Sequence, residues 1–340
     1  NILIGPQASS KSICAKLLFY FKNFVWQILK VVENEQTKRN LDSTYSKTFE
    51  EYFPPDSWGK HDFFIRYEIA NVFIEVTRKQ DSKGKISLNY SDFFKKELAN
   101  LRALQKTLKE IRFDKNDEYE RIDRLLFLNK ELRDSLVNFL NTYLCKEAAF
   151  TQLFIPAGRS FFANLQSNIF SFLSSNNTLD PFLRDFGSTY ESVKDVGFIF
   201  KDKLDERKDI QDEIDRLIEK SLCGKHIHEK GKDFLESTDG RRISVANSSS
   251  GQQEMLPLTI MLAALPFLTS SRYGQTVYIE EPEAHLFPST QRSVIELIAT
   301  MFNYRKEKLQ FFITTHSPYV LTAINNLLQA GLLYEEASQD

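Results

Sequence analysis

Gly5-Pro6-Gln7-Ala8-Ser9-Ser10-Lys11-Ser12 lies between a short apolar run, Ile2 to Ile4, and a stretch with helical periodicity that opens at Lys11. It matches the phosphate-loop pattern G-x-x-x-x-G-K-[ST] at every position but one: Ser10 stands where the second glycine belongs. In such a loop, backbone N–H groups and a helix N-terminus face anionic oxygens. Lys11 would reach the β- and γ-phosphates of a nucleotide, and the Ser12 hydroxyl would help hold Mg²⁺. Glycine at the tenth position permits unusual dihedrals and a close backbone approach. Serine fits there if its dihedrals lie in the ordinary helical region. The competing reading of this stretch is a Ser-rich helix cap.

Outward from the loop, apolar residues at Leu17, Leu18, Phe21, Val25 and Leu29 predict one helix from Lys11 to about Glu33. A looser stretch ends in Pro54-Pro55-Asp56. Phe63–Ile69, Val72–Arg78 and Lys85–Tyr90 alternate as strands of an antiparallel meander, with turn chemistry at Asp81–Gly84. Asp92–Cys145 is charged, Leu-rich and free of Gly and Pro. Leu98, Leu101, Leu104, Leu108 and Ile111, then Leu125, Leu128, Leu132, Leu136 and Leu140, predict two long helices. Gln152–Ile155 is a strand ending in Pro156-Ala157-Gly158-Arg159. Ser160–Leu173 is helical, and Pro181–Leu222 holds two more helices. His226–Val245 forms short strands around a turn at Gly240. Gln252–Leu268, Pro288–Tyr304 and Pro318–Gln329 are helices. Thr276–Ile279, Leu309–Thr314 and Leu332–Tyr334 are strands. The ends alternate strand and helix while the middle is mostly helical, which is an α/β core with a long insertion. The predicted division is 1–90, 91–225 and 226–340.

Three further segments carry chemistry. Thr276-Val277-Tyr278-Ile279 runs into Glu280-Glu281-Pro282-Glu283. Two adjacent carboxylates at the end of a buried strand suit Mg²⁺ ligation by one and water activation by the other; a strand meeting an acidic turn is the plain alternative. Gln310–Thr315 ends in His316-Ser317-Pro318, where a histidine can sense a γ-phosphate or simply accompany a helix-capping serine. No G-x-S-x-G elbow supports a Ser-His-Asp hydrolase. Ser249-Ser250-Gly251-Gln252 precedes an apolar helix, as an anion cradle or a flexible loop with a serine cap.

Composition narrows the classes. The 340 residues are 42% hydrophobic and 26% charged, with 44 Lys+Arg against 46 Asp+Glu and a net charge of −2. That excludes a uniformly basic nucleic-acid coat but leaves local patches open. No run of about 18 uncharged apolar residues offers a membrane span. The 29 Phe and 13 Tyr point to an aromatic core before base stacking. Cys14, Cys145 and Cys223 are odd in number and far apart, which fits a reduced, cytoplasmic compartment. His226 and His228 read as a strand pair rather than a metal site. A first residue Asn1 on a strand already under way predicts that something precedes it, and no signal peptide is visible.

The order of these motifs resembles the ABC-type ATPase heads of the SMC, RecF and OLD class. Ser249-Ser250-Gly251-Gln252 is similar to their signature loop. Glu280-Glu281-Pro282-Glu283-Ala284-His285-Leu286-Phe287-Pro288 resembles the acidic segment of the OLD-like branch, and Thr315-His316-Ser317-Pro318 its histidine switch. Within that branch the chain looks most like the ATPase subunits of Septu-type anti-phage systems, including those attached to retrons. The resemblance implies an α/β ABC-type P-loop ATPase head with an antiparallel β subdomain and a long helical insertion. It implies ATP and Mg²⁺ as cofactors and a homodimer or higher homo-oligomer, two heads sandwiching ATP. Gly5, Pro6, Gln7, Ala8, Ser9, Ser10, Lys11 and Ser12 would bind nucleotide in one copy; Ser249, Ser250, Gly251 and Gln252 would do so from the other. Ser12 and Glu280 would hold the metal, Glu280 replacing a more usual Asp. Glu281 would be the general base and His316 the γ-phosphate sensor. Arg159 and Gln152 fall near the nucleotide without an assigned role. No OLD-type nuclease domain and no HNH-type Cys/His cluster is found, so the chain is not expected to cut nucleic acid alone; the Septu-like resemblance implies a separate HNH-type nuclease subunit as partner, with a reverse transcriptase, retron nucleic acid or DNA as further ones. The alternatives are an SMC- or RecF-like DNA-repair ATPase and a hydrolysis-poor pseudo-ATPase scaffold, the latter prompted by Ser10.

Overall fold

A computed structural model describes residues 1–6, 9–59, 61–79, 85–110, 118–163, 179–194, 208–229, 232–265, 273–305 and 307–337. The chain forms two compact units, one of residues 1–15 and 153–340, the other of residues 16–152.

The first unit is built on a sheet of β1 (Ile2–Ile4), β10 (Leu309–Thr315), β9 (Gln275–Glu280) and β5 (Thr151–Ile155), in that spatial order. β1 pairs with β10, and β10 with β9, in parallel. β9 is buried along its whole length, as the apolar run of a two-sided parallel strand requires. The register sets Ile4 beside Thr315, and Thr314 beside Glu280. The carboxyl ends of three strands therefore finish level. In an open α/β sheet that edge is where ligands bind.

Around this sheet lie α6 (Ser160–Ala163), α7 (Pro181–Lys194), α8 (Lys208–Leu222), α9 (Ser250–Ala264), α10 (Pro288–Tyr304) and α11 (Pro318–Ala337). One apolar cluster runs through them, including Ile155, Phe186, Leu217, Met255, Leu262, Ile279, Leu297 and Ile313. α9 is buried nearly all round, so it carries no polar stripe. A small antiparallel sheet of β6 (Lys225–Glu229), β7 (Lys232–Glu236) and β8 (Arg242–Ser244) completes the unit. There His226 Nε2 and His228 Nδ1 both bond Asp233 Oδ1, at 2.8 and 2.7 Å. Burial raises the Asp233 pKa, but these two partners outweigh it and hold the carboxyl below its usual range. Among the described residues, no group of three or more His, Cys, Asp and Glu is arranged to hold a metal ion.

The second unit takes the rest of α1 (Lys11–Lys22), α2 (Phe24–Glu33), α3 (Lys38–Tyr52), α4 (Asp92–Glu110) and α5 (Glu118–Tyr143), with the meander β2 (Phe63–Ile69), β3 (Val72–Arg78) and β4 (Ile86–Tyr90). Its centre is aromatic. Tyr20 and Tyr45 stack with centroids 4.1 Å apart, and each hydroxyl donates to the other's carbonyl, at 2.9 and 2.7 Å. Phe24 packs against Tyr45, Tyr90 and Phe94. Aromatic pairs in these geometries add about 0.5–1.5 kcal/mol beyond burial. This is where much of the unusual Phe and Tyr content goes.

Three expectations need correction. The helix predicted over 11–33 is broken at Asn23, which keeps helical dihedrals, so the apolar stripe continues across the break and periodicity does not register it. The stretch after Glu33 is not loose: α3 starts at a capping box in which Asn40 N–H donates to the Thr37 side chain. Its buried stripe is only Leu41, Tyr45 and Phe49 on an otherwise polar helix. The strand predicted at Leu332–Tyr334 is the continuation of α11 to Ala337. Gly331 alone separates it from the preceding turns, and an exposed helical glycine costs only about 1 kcal/mol. The turn at Asp81–Gly84 and the helix beyond Ala163 to Leu173 lie outside the described residues.

Among the described residues no helix is long and apolar enough to cross a membrane. The three cysteines are free thiols.

Glu97 on α4 is 3% exposed. Burial lifts its pKa to about 7, against a hydrogen bond from Asn100 that lowers it. The unfolded chain releases this proton near pH 4.5 and the folded chain near 7. Stability is therefore lost as pH rises through that window. Glu97→Gln is expected to melt like wild type at pH 4 and to be more stable by about 2–3 kcal/mol at pH 8. Thermal melts at the two pH values check it.

Candidate functional site

The phosphate-loop lysine is the hub of the level strand ends. Lys11 is 8% exposed and opens α1. Its Nζ donates to Gly5 O at 2.9 Å, Pro6 O at 2.8 Å and Ser9 Oγ at 3.0 Å. It also lies 3.2 Å from His316 Nδ1. The same nitrogen is 3.1 Å from Gly5 O, and His316 Nε2 is 3.1 Å from Glu281 Oε1. Lysine, histidine and glutamate thus form one chain, Lys11 to His316 to Glu281, across the ends of β1, β10 and β9. Gln7 and Ala8 lie outside the described residues. Ser12 occupies the first turn of α1, half-buried.

Ser10 does not meet the condition under which serine fits without strain. Its φ is +61°, in the left-handed region, not the ordinary helical one. The loop keeps the backbone that a glycine would favour and imposes it on a serine, at a cost of about 1–2 kcal/mol. Ser10→Gly removes that strain and regains some unfolded-state entropy cost. The net expectation is a gain of about 1 kcal/mol, read from denaturant unfolding.

The acidic segment is held in three directions. Glu281 has φ +44° and His285 φ +60°, so the turn between them is strained at both ends. Glu281 N–H donates to Thr314 O at 2.9 Å. Glu283 Oε1 accepts from Thr315 Oγ1 at 2.6 Å and from His316 N–H at 2.7 Å, which ties the histidine's backbone to the acidic turn. Ser317 Oγ donates to Gln291 Oε1 at 2.5 Å, and Gln291 Nε2 donates to Leu286 O at 3.0 Å. Glu280 Oε2 accepts from Ala157 N–H at 3.3 Å.

Several buried oxygens at this edge have no hydrogen-bond partner: Glu280 Oε1, Glu283 Oε2 and Thr314 Oγ1. Unpartnered buried carboxylate oxygens are costly. A magnesium ion takes oxygen ligands, and in nucleotide sites it needs only one or two carboxylates besides phosphates and water. The donor set at Glu280 fits such an ion.

Arg159 is fully buried, at 0% exposure. Its guanidinium donates to Pro156 O at 3.1 Å, Glu280 O at 2.9 Å, Glu281 O at 3.1 Å and Glu254 O at 3.1 Å. Burial lowers its pKa, and the carboxylates of Glu254, Glu283, Glu281 and Glu280 oppose that. It stands behind the acidic turn. Gln152 donates instead to Phe150 O, at 2.5 Å.

The Ser249–Gln252 turn caps α9. Ser249 Oγ accepts from Gln252 N–H and Gln252 Oε1 from Ser249 N–H, at 3.3 and 3.2 Å. Gln252 Nε2 donates to Leu222 O at 2.9 Å. A Cβ on Gly251 would come within 2.8 Å of His285 O, so only glycine lets α9 lie against the acidic turn. These contacts of Ser249 and Gln252 are with each other and with the end of α8, not with Lys11 or His316.

The geometry brings Gly5, Pro6, Ser9, Lys11, Glu281 and His316 together and sets Glu280 beside them. The sequence assigns no role to Glu283, Gln291 or Thr315. Position at strand ends that carry chemistry marks Glu283 and Thr315, while Gln291, inside α10, carries no such signal.

Comparison with known proteins adds the following. The AAA ATPase domain family matches residues 1–321. The retron Vc95 probable ATPase of Vibrio cholerae serotype O1 biovar El Tor is 25% identical over 197 residues, covering 47% of this chain and 37% of that relative. The match thus spans little more than a third of that protein's length. Among solved structures, an Smc head bound to the C-winged helix domain of ScpA aligns at a TM-score of 0.37 and 12% identity, over 95% of this chain and 83% of that one. An Smc head domain with an extended coiled coil, bound to the C-terminal domain of ScpA from Pyrococcus furiosus, aligns at 0.31 and 13%, over 74% and 67%. With a family match over nearly its whole length, this chain belongs to the AAA ATPase domain family.

Proposed function

We propose that this chain binds and hydrolyses ATP as an OLD- and SMC-like ABC-type head. Two copies pair around the nucleotide, and the assembly controls a partner nuclease in anti-phage defence. The observation that carries the reading is the contact chain Lys11–His316–Glu281 at the level ends of three strands, beside the unpartnered Glu280 Oε1. Lys11, the loop N–H groups and Ser12 bind the phosphates; Ser12 and Glu280 hold Mg²⁺. The ion supplies charge neutralisation on the phosphate oxygens. Glu281 takes the proton of the attacking water, and His316, bonded to Glu281 and next to Lys11, senses the γ-phosphate. Ser249, Ser250, Gly251 and Gln252 serve the nucleotide of the second copy, in keeping with a turn whose hydrogen bonds run within itself and to Leu222 O rather than to Lys11 or His316. The likeness to a protein named as a retron's probable ATPase supports the defence setting. An HNH-type nuclease is the partner this reading expects.

The test is Mg²⁺-dependent ATP turnover, sedimentation with and without ATP, and co-purification with whatever nuclease the neighbouring open reading frames encode. Absence of both turnover and ATP-dependent association rejects the reading. The strained Ser10 favours one second reading, a hydrolysis-poor scaffold that binds ATP. A wild type that binds without turnover, with turnover appearing in Ser10→Gly, would establish it.

A further inference from the structure

We propose that Arg159 is the positioning residue that ties the helix beginning at Ser249–Gly251 to the backbone of Glu281, so that engagement of that helix sets the aim of the carboxylate. The proposal rests on the reading of Glu281 as general base. Its grounds are contacts that this reading does not use.

α9 touches the acidic turn at two points. At its first turn, Gly251 lies so close to His285 O that a methyl group would fall at 2.8 Å. One turn on, Glu254 is 2% exposed and faces Arg159. Glu254 O accepts from Arg159 Nε at 3.1 Å, and Glu254 Oε2 lies 3.5 Å from the same nitrogen with no hydrogen bond of its own. Glu254 Oε1 accepts from Ser160 N–H at 3.2 Å, which fixes the arginine's own segment to α9. From there the guanidinium fork reaches Glu280 O at 2.9 Å and Glu281 O at 3.1 Å. A planar fork can hold two successive carbonyls at once; an ammonium, a point donor, cannot reproduce that geometry.

The two contact points bracket the turn at its two positive-φ residues, Glu281 and His285. Strained backbone persists only where its surroundings over-determine it. Part of that set comes from α9, through Gly251 against His285 O and through Glu254 and Arg159; the rest comes from Thr314, Thr315 and His316 at the end of β10 and from Gln291 on α10. A shift of α9 acts on Glu281 through the Arg159 fork at its carbonyl, while its N–H stays anchored to Thr314 O.

The experiment uses Glu254→Gln, with Arg159→Lys as the second variant should the first not fold. Thermal melts establish folding. Amide exchange across 279–286 is followed without nucleotide; affinity for ATP and kcat are then measured. The expected result is exchange at Glu281 faster by about 10-fold or more, reflecting a loosened local opening. ATP affinity should stay within about twofold while kcat falls about 10-fold or more, the split expected when only alignment is lost. In a Glu281→Gln background, Glu254→Gln should cause no further drop, because residues acting through one group are non-additive. Wild-type exchange at Glu281 in the folded variant overturns the proposal, as does a wild-type kcat. A drop that multiplies with that of Glu281→Gln also overturns it. If instead Glu281→Gln turns ATP over like wild type, the base assignment fails, while the exchange measurement still decides whether Arg159 ties α9 to the turn.

Discussion

Glu281→Gln is expected to lower ATP turnover by about 10²–10⁴-fold, the range for removing a positioned general base, while ATP affinity changes little. Glutamine keeps the length and the hydrogen-bonding reach toward His316 Nε2, so the turn has no steric reason to move. Its backbone carbonyl remains bonded to Arg159 and its N–H to Thr314 O. What is lost is the capacity to accept a proton from water. The association of two copies proposed to follow ATP binding should consequently last longer in the variant than in wild type. Single-turnover hydrolysis and sedimentation in ATP check both. Turnover within about threefold of wild type would show that the carboxylate is not the base, whatever else the chain does. Glu280→Gln should differ in kind: it changes the side chain whose Oε1 is unpartnered, so its effect should depend on Mg²⁺ concentration.

How the sequence announced this site differs from residue to residue. Lys11 and His316 are over three hundred positions apart, yet both follow short apolar runs that end in a loop before a helix. That pattern is local, and a parallel sheet turns it into proximity: strands in register finish together. The fold of the first unit and the meeting of Lys11, His316 and Glu281 were therefore legible, whereas the Ser249–Gln252 turn does not join them. Arg159 was visible as a residue after a strand, but its role was not. Its acceptors are backbone carbonyls of distant residues, and a carbonyl has no signature in sequence. The left-handed Ser10 was hidden for the opposite reason, since the residue written there argues against the conformation it adopts. In the second unit, the break at Asn23 and the polar α3 escaped because a hydrophobic stripe reports faces, not ends. Caps report ends, and the box at Thr37 uses Asn40 where a Glu or Gln is the commoner sign.

Lys11→Ala is expected to weaken ATP binding by about 10²-fold, as loss of a charge-assisted contact of up to about 3 kcal/mol implies. ATP-dependent association should go with it. Two effects combine in that figure. In the proposed function the ammonium is the charge opposite the phosphates; in the structure it braces the loop through Gly5 O, Pro6 O and Ser9 Oγ. Lys11→Arg separates them. It keeps the charge, but a planar fork cannot match three acceptors converging on one nitrogen. If bracing dominates, Lys11→Arg binds ATP nearly as poorly as Lys11→Ala; if charge dominates, it recovers most of the affinity. The strain at Ser10 makes the first outcome the expected one, because a loop holding a serine at φ +61° depends on whatever pins its ends. Combining Lys11→Arg with Ser10→Gly should then restore part of the lost affinity, since the relaxed loop needs less bracing. Equal ATP binding by wild type and Lys11→Ala, measured by calorimetry on folded protein, would remove the nucleotide from this loop and the function proposed for it.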